Sequence, residues 1–359
     1  MTARLTSLDA FRGFTIAAMM LVNNPGDGAH TYAPLEHADW NGWTFTDLVF
    51  PFFLWIAGVA MTLSFARRVE QGGKRRDLFL HTLRRAALIF LIGFLLNLIP
   101  RFDFAHVRIP GVLQRIAICY LLAAVIFLLT GLRGQIIAAG CLLAGYWILM
   151  TLVPVPGYGP GVLEKQGNFA QYIDGMVLSG HMWVSTKTWD PEGIVSTLPA
   201  IATVLFGIFA GHILRARQTA AEKTAWLFTL GTALLLAGAV LSPLLPINKG
   251  LWTSTFSLFM AGMASTAFAV CYWLIDVQGW KRWARPLVIY GMNPIVVFAG
   301  AGLLGKTLAM TGAGHAIFRT VYQPFPDPYI ASLLYALTIV ALFFGLSWFL
   351  YKRNWIVRL

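Results

Sequence analysis

One short stretch of the sequence, residues 37–47, concentrates side chains that can do chemistry. It holds an imidazole, two carboxylates, an amide and two indoles, from His37, Asp39, Asp47, Asn41, Trp40 and Trp43. With an unperturbed pKa of about 6.5, an imidazole can take a proton from an attacking group at neutral pH, and a carboxylate can orient it. The apolar run of residues 48–58 follows directly. This chemistry would therefore lie at the mouth of a membrane span.

The composition indicates that most of the chain lies in a membrane. Of its 359 residues, 58% are hydrophobic and 12% are charged, and the mean hydropathy is +0.68; soluble domains carry about twice that share of charge. Apolar windows of about 20 residues, the length that crosses a bilayer, predict ten spans. They are residues 11–25, 46–66, 83–100, 111–130, 136–153, 194–213, 225–246, 251–275, 287–304 and 329–351. The predicted fold class is all-α: a polytopic membrane helical bundle forming one domain over residues 1–359, with no soluble domain.

The distribution of Lys and Arg predicts the orientation of the bundle. Alternate connecting segments and the two chain ends, which carry Arg4 and Arg358, hold 19 of the 27 basic residues, and such segments stay in the cytoplasm. Both termini are expected to be cytoplasmic, with His37 on the opposite side. The net charge of +12 is dispersed over these segments. Membrane sidedness and contact with anionic lipids explain it, and no nucleic-acid partner is expected.

Three residues around His37 each have two interpretations. Asp47 begins the second span, where an unpaired carboxylate is costly; it can cap the helix, or it can orient His37 or bind an amine. Asn23 closes the first span, where its amide either ends the helix or reaches into a cavity. Trp40 can stack on a sugar, although the aromatic belt at the membrane interface is the stronger explanation from position alone.

The cytoplasmic side offers two candidate contacts for an anionic cofactor. Arg12 can pair with Asp9, three positions earlier, or bind a group such as phosphate. A cytoplasmic loop is predicted over residues 67–85, and this loop, which ends with Arg84 and Arg85, is the most basic part of the chain. Such a segment either fixes the orientation alone or also attracts a polyphosphate-bearing cofactor from the cytosol.

Three further polar positions fall inside or between spans. Arg115 lies about one turn inside the fourth span, where a charge costs about 2.5–3.5 kcal/mol; it either pairs with a neighbouring helix or binds a ligand oxygen. Lys249 lies in a tight connection and is either a snorkelling residue or a cation that lines a cavity. Asn293 belongs to the segment Tyr290–Pro294, which breaks the ninth span near its start, as in helices interrupted around a ligand.

Six blocks of the sequence resemble the transmembrane acetyltransferases of the heparan-α-glucosaminide N-acetyltransferase family. The blocks are Ser7–Gly13, His37–Gly58, Pro110–Arg115, Asp190–Gly193, Pro246–Trp252 and Gly291–Pro294. Members of that family move an acetyl group from cytosolic acetyl-CoA across the membrane to the amine of a terminal glucosamine. The resemblance implies acetyl-CoA as cosubstrate, no metal ion, and catalysis at His37, with Asn23 and Asp47 matching polar family positions nearby.

The remaining site assignments come from the residue types and positions described above. Substrate contacts are expected from Trp40, Asn41, Asn248 and Lys249, and acetyl-CoA contacts from Arg12, Arg84, Arg85, Arg115 and Asn293. Compared with that family, we expect this sequence to have no counterpart of the amino-terminal luminal domain and first span, and a longer first outer loop than the animal enzyme. We therefore expect a protein of the bacterial inner membrane that acts on an amino sugar or cell-wall fragment rather than heparan sulfate. A homodimer is compatible with the sequence.

Mechanism and function class both stay open at this level. In direct transfer, His37 is the general base and Asp47 positions it or the amine. Asn23 or Asn41 then donates a hydrogen bond to the developing oxyanion. The mechanistic rival is an acetyl-histidine intermediate. Two other function classes fit ten spans with buried polar residues: a transporter of N-acetylglucosamine, and an O-acyltransferase acting on a cell-envelope glycan or lipid.

Overall fold

The computed structural model describes residues 5–357, and Arg4 and Arg358 lie outside the described residues. The described residues form thirteen α-helices: α1 (Thr6–Asn23), α2 (Phe45–Glu70), α3 (Arg75–Leu98), α4 (Val112–Leu129), α5 (Leu132–Leu152), α6 (Phe169–Val177), α7 (Thr197–Arg215), α8 (Ala220–Leu241), α9 (Ser254–Tyr272), α10 (Arg285–Tyr290), α11 (Pro294–Thr311), α12 (Ala313–Ile317) and α13 (Pro328–Lys352). Two 3₁₀ turns, Gly28–His30 and Ala33–Leu35, shape the loop after α1, and π-helical turns prolong α9 and α12. Residues 154–193, which include α6, are called the lid below.

The helices confirm an all-α polytopic bundle. Nine helices of the described chain are long and apolar enough to cross a membrane: α2, α3, α4, α5, α7, α8, α9 with its π-helical turn, α11 and α13. The first predicted span, α1, has 18 residues but is less apolar because it contains Asp9, Arg12 and Asn23. It packs against α2, α9, α10 and α13 and places Ile16 and Met20 in the core. It is therefore an integral helix of the bundle.

The prediction of a loop over residues 67–85 is wrong. Helix α2 continues to Glu70 and α3 begins at Arg75, so only four residues join them. Arg and Lys are good helix formers, and a helix that leaves the hydrocarbon keeps its own backbone hydrogen bonds. Arg84 and Arg85 consequently lie on α3.

Helix α2 is central to the bundle and positions the candidate site. It packs against α1, α4, α7 and α9. Its side chains Phe52 and Trp55 are buried against Phe11 of α1 and Phe268 of α9, and such close packing is what holds helices together in lipid. The helix continues through Pro51 and presents Asp47 in its first turn.

The beginning of α1 and the end of α13 lie at the same end of the bundle. The backbone N–H of Ser7 donates to the Asp276 carboxylate over 3.0 Å. Asn293 donates from Nδ2 to the Trp355 carbonyl (3.0 Å) and accepts at Oδ1 from the Val357 N–H (2.8 Å). This end, called the basic end below, also holds the junction of α2 and α3. The shared end agrees with an even number of spans, while the cytoplasmic placement of the termini stays a prediction.

The predicted break in the ninth span is confirmed between α10 and α11. It serves a close helix contact: a Cβ added at Gly291 would lie 2.3 Å from the Asp9 carbonyl oxygen, and one at Gly13 would lie 1.7 Å from that of Leu287. Backbone-to-backbone contact of this kind requires glycine because any side chain would occupy the space of the neighbouring backbone.

We expect Gly13→Ala to destabilise the bundle by about 1–3 kcal/mol, because α1 and α10 must separate to admit the methyl group. Thermal unfolding of the purified protein in detergent measures the effect. Gly140→Ala is the matched control, since Gly140 lies in α5 with open space around the added Cβ. Equal unfolding temperatures for the two variants would contradict the assigned contact.

Candidate active site

A cavity of about 670 Å³ opens at the end of the bundle opposite the basic end. Its walls come from α1, the loop before α2, the first turns of α2, the lid and the connection between α8 and α9. Phe53 of α2 and Phe298 of α11 also line it. Among the predicted site residues, the lining contains Asn23, His37, Trp40, Asp47 and Lys249.

His37 and Asp47 form a hydrogen-bonded pair in this cavity. Nδ1 of His37 lies 2.7 Å from Oδ1 of Asp47, whose side chain is 1% exposed. The second carboxylate oxygen, Oδ2, accepts from the backbone N–H groups of Ala38 (3.1 Å) and Thr44 (3.0 Å). One oxygen of Asp47 thus holds the imidazole while the other caps α2. The helix-capping and His37-orienting roles predicted for this residue are therefore compatible. A deprotonated Asp47 makes Nδ1 the protonated nitrogen and leaves Nε2 as the basic one.

Two other histidines make similar pairs, and burial of the carboxylate separates them from His37. His30 lies 2.7 Å from Asp27 and His106 lies 2.8 Å from Asp103, but these carboxylates are 37% and 46% exposed. Neither imidazole lines the large cavity. A buried carboxylate fixes its partner ring, whereas an exposed pair exchanges with water.

Lys249 lies over the face of the His37 ring. Its Nζ is 2.9 Å from Nδ1 and 3.1 Å from Nε2, and 3.4 Å from Oδ1 of Asp47. A point nearly equidistant from both ring nitrogens must lie above the ring, because an in-plane position this close would overlap ring carbon. The in-plane lone pair of Nε2 is therefore left to the cavity. Burial lowers the pKa of the Lys249 ammonium, against the opposing effect of Asp47 and Glu192.

Asn41 and Asn248 bring the Lys249 segment to the His37 loop. Nδ2 of Asn248 donates to Oδ1 of Asn41 over 3.0 Å, and the N–H of Gly42 donates to the Ile247 carbonyl over 2.7 Å. Oδ1 of Asn248 accepts from the N–H of Leu251 (2.8 Å). Asn248 is fully buried, and the pair lies beside the cavity rather than in its lining. The predicted contact of Asn41 and Asn248 with substrate stays a prediction. The hydrogen bond between them holds the Lys249 segment against the His37 loop.

Trp40 connects the His37 loop to the lid. Its indole N–H donates to the Leu163 carbonyl over 2.9 Å, and its ring meets Trp189 edge-on at 5.3 Å. Trp183 and Trp189 of the lid also line the cavity, so aromatic rings form one side of its rim. Flat aromatic faces suit stacking against a sugar ring.

Arg108, which the sequence analysis did not single out, anchors the lid. Its guanidinium donates to both oxygens of Asp190 (2.8 and 2.6 Å), contacts Glu192, and lies 5.5 Å over the Trp183 ring. Burial of the guanidinium lowers its pKa, whereas Asp190 and Glu192 raise it. Together they raise the pKa of Arg108. The sequence feature that could have pointed to Arg108 is the acidic pair Asp190 and Glu192, to which no basic partner was assigned.

Arg115 is buried beneath the lid. Its Nη2 donates to the Gly193 carbonyl (3.1 Å) and to the Ser196 hydroxyl, and its guanidinium lies 5.2 Å over the Trp252 ring. It therefore fastens the end of the lid to α4 and α7. The predicted contact of Arg115 with acetyl-CoA stays a prediction.

The other residues predicted to bind acetyl-CoA lie toward the basic end. Arg12 contacts Asp9 and the Gly291 carbonyl, and Asn293 holds the segment after α13. Arg85 lies 5.1 Å over the Tyr120 ring, beside the exposed Arg84. The fold does not bring these four together with His37, and their roles stay predictions. Within residues 5–357 no three His, Cys, Asp or Glu side chains are placed to hold a metal ion.

Asp174 makes the stability of the lid depend on pH. It is 2% exposed and accepts from the N–H groups of Ile194 (2.9 Å) and Asp190 (3.4 Å). Burial raises the pKa of Asp174 from 3.8 to about 6. The folded protein thus binds this proton more tightly than the unfolded chain, so stability falls as pH rises from about 4 to about 6 and is level above that.

We expect Asp174→Asn, which cannot ionise, to remove this pH-dependent loss of stability, which totals about 3 kcal/mol at most. Thermal unfolding followed between about pH 4 and pH 7 provides the test. Glu164→Gln, an exposed change in the lid, should keep the wild-type slope. A wild-type unfolding curve without any loss over this interval would refute the assignment.

Comparison with known proteins decides the family. Residues 4–240 match the family model described as heparan-alpha-glucosaminide N-acetyltransferase, catalytic. The chain belongs to this family. Among relatives of the same name, the human protein is 31% identical over 352 residues, covering 83% of this chain and 52% of its own length. The mouse protein is 29% identical over 356 residues, covering 84% and 54%. The chain spans about half the length of these relatives.

Membership in the heparan-α-glucosaminide N-acetyltransferase family confirms the resemblance found in the sequence. The matched residues include Asn23, His37, Asp47 and the lid with its anchor Arg108, whereas Lys249 lies beyond them. The catalytic-domain match therefore covers the cavity except for the parts formed by residues 249 and 250 and by Phe298.

Proposed function

We propose that this chain is an acetyltransferase that moves the acetyl group of acetyl-CoA to the amine of a glucosamine or related amino sugar. The observation that carries the proposal is the His37–Asp47 pair: a buried carboxylate fixes Nδ1 and leaves Nε2 facing a large cavity. Family membership supports the choice of acyl transfer over other reactions that use a base.

The reaction follows from these positions. Nε2 of His37 takes a proton as the amine nitrogen attacks the thioester carbonyl, and the same proton passes to the departing thiolate of CoA. Asp47 holds the ring and balances the imidazolium charge. Asn23 lines the cavity and donates to the developing oxyanion, a role for which it is better placed than Asn41, which lies outside the lining.

A covalent route would use the same nitrogen. Acetylation of Nε2 followed by transfer to the amine also fits an in-plane lone pair that faces the cavity. Rapid mixing of the protein with acetyl-CoA alone separates the two routes. A burst of free CoA equal to the enzyme concentration supports acetyl-histidine, and CoA release only after an amine is added supports direct transfer.

We further propose that the donor enters from the basic end and the acceptor from the cavity mouth, with the basic end in the cytoplasm of a bacterial cell. The length of α2 between Phe53 and Glu70 corresponds to about 26 Å. A donor from the basic end reaches His37 only if the packing around Phe53 and Phe298 opens. Vesicles holding the protein in one orientation, with acetyl-CoA and glucosamine on chosen sides, test this: transfer should require them on opposite sides.

Turnover of acetyl-CoA by the purified protein over a panel of amino sugars and matching sugars with only hydroxyl groups tests the function itself. We expect acetylation of amines. Acetylation of the hydroxyl sugars alone would favour an O-acyltransferase. Uptake of labelled N-acetylglucosamine into vesicles that contain no CoA, without any turnover, would instead establish a transporter.

A further inference from the structure

The proposed reaction, on which this inference rests, removes two protons from an acceptor that binds as its ammonium ion. An amino sugar in its ammonium form has three N–H bonds, and the amide product keeps one. One of the two departing protons goes to the thiolate of CoA, and the other leaves the site. The Nε2 atom of His37 accounts for the proton that reaches the thiolate. The ammonium must lose its first proton to another group before the nitrogen can attack.

Lys249 is the group in the cavity whose position fits that task. Its Nζ lies above the His37 ring, 3.1 Å from Nε2. An acceptor nitrogen in hydrogen-bond contact with the in-plane lone pair of Nε2 would therefore approach Nζ directly or through one water molecule. The side chain is 21% exposed and lines the cavity, so a proton taken there can pass to water at the mouth.

The acidic groups around the cavity are less suited to the role. Both oxygens of Asp47 are engaged, one with His37 and one with backbone donors. Asp190 and Glu192 are both paired with Arg108. Asp39 is exposed at the rim, where its carboxylate is solvated by water.

The surroundings of Lys249 favour its neutral form more than bulk water does. Three titratable groups face it: His37 from the loop, Asp47 from α2 and Glu192 from the lid; Asp39, Lys165 and Arg108 line the cavity further away. The carboxylates favour the ammonium, yet burial outweighs them and lowers the pKa of Lys249. Arg108 offsets the charge of Glu192.

We propose that Lys249 is a second catalytic base, which takes the first proton from the acceptor ammonium before His37 takes the second. The N–H bond of the acceptor breaks, its electron pair stays on nitrogen, and the proton bonds to Nζ. The neutral nitrogen then attacks the thioester carbonyl carbon while Nε2 receives its next proton. The carbon–sulfur bond breaks, Nε2 protonates the thiolate, and Nζ returns its proton to water.

The test compares Lys249→Arg with the wild type using glucosamine and O-methylhydroxylamine as acceptors, with acetyl-CoA as donor. Arginine keeps the positive charge but cannot act as a base. The nitrogen of O-methylhydroxylamine is unprotonated at neutral pH and needs no first deprotonation. We expect kcat/KM for glucosamine to fall about 100-fold in the variant, with kcat/KM for O-methylhydroxylamine unchanged. Lys249→Gln should show the same selective loss.

Each other outcome overturns the inference in a recognisable way. Equal loss with both acceptors in both variants would make Lys249 a positioning residue for His37. Full activity of Lys249→Arg with glucosamine would show that only its charge matters. A wild-type protein that acetylates neither acceptor would reject the proposed function itself. Thermal unfolding of each variant confirms that the compared proteins are folded.

Discussion

Replacing His37 by alanine is expected to lower acetyl transfer to glucosamine by about 10²–10⁴-fold, the usual contribution of a general base. If the imidazole instead carries the acetyl group, the variant is expected to be inactive. The unfolding temperature should stay near that of the wild type, because the His37 side chain is 53% exposed and its loss removes little packing. Steady-state release of CoA over a range of glucosamine concentrations measures the change.

His30→Ala is the matched control for this experiment. It removes another imidazole of the same loop. This imidazole also lies 2.7 Å from a carboxylate, but it does not line the cavity. Its activity should equal that of the wild type. A His37→Ala variant that keeps more than about a tenth of wild-type activity would exclude His37 as the base, since the loss would then be under about 1.4 kcal/mol.

Replacing Arg108 by methionine is expected to destabilise the lid, which this residue holds from the connection between α3 and α4. The change leaves Asp190 (side chain 0% exposed) and Glu192 (9%) without their cation. Breaking a buried ion pair from one side costs about 3–5 kcal/mol, and the 21% exposure of Arg108 places this case at the lower end. Thermal unfolding and protease cleavage of residues 154–193 measure it.

Two comparisons make the Arg108 result interpretable. Arg101→Met removes an exposed cation of the same connecting segment and should leave stability unchanged. Adding Asp190→Asn and Glu192→Gln to Arg108→Met removes the unpaired charges, and we expect it to recover most of the loss. A triple variant no more stable than Arg108→Met would show that packing against Trp183, rather than charge, holds the lid.

The helices of this protein were predictable because their cause is local. Ten predicted spans correspond to α1–α5, α7–α9, α11 and α13, with the break before α11 marked by Gly291, Asn293 and Pro294. Errors occurred where helices run past the membrane, as at Arg75–Arg85 of α3. Hydropathy reports where the chain meets lipid, whereas the end of a helix depends on hydrogen bonds that continue in water.

The candidate site was only partly predictable because its contacts join distant parts of the chain. His37 and Asp47 are ten residues apart, so a single turn into α2 brings them together. Lys249 reaches them because its segment pairs with the His37 loop, as in the hydrogen bond of Asn248 to Asn41 across 207 positions. Arg108 meets Asp190 across 82 positions. No local pattern specifies such pairs.

The membrane environment, the helices, the family resemblance and the loop that carries His37 could all be inferred from the amino-acid sequence. Each of these depends on composition or on neighbours along the chain. The packing of the helices was needed to show which of three His–Asp pairs has a buried carboxylate, that Lys249 lies over the ring of His37, and that Arg108 holds the lid. Burial and contact between distant segments arise when helices pack, and they create the difference between one imidazole and another of the same type.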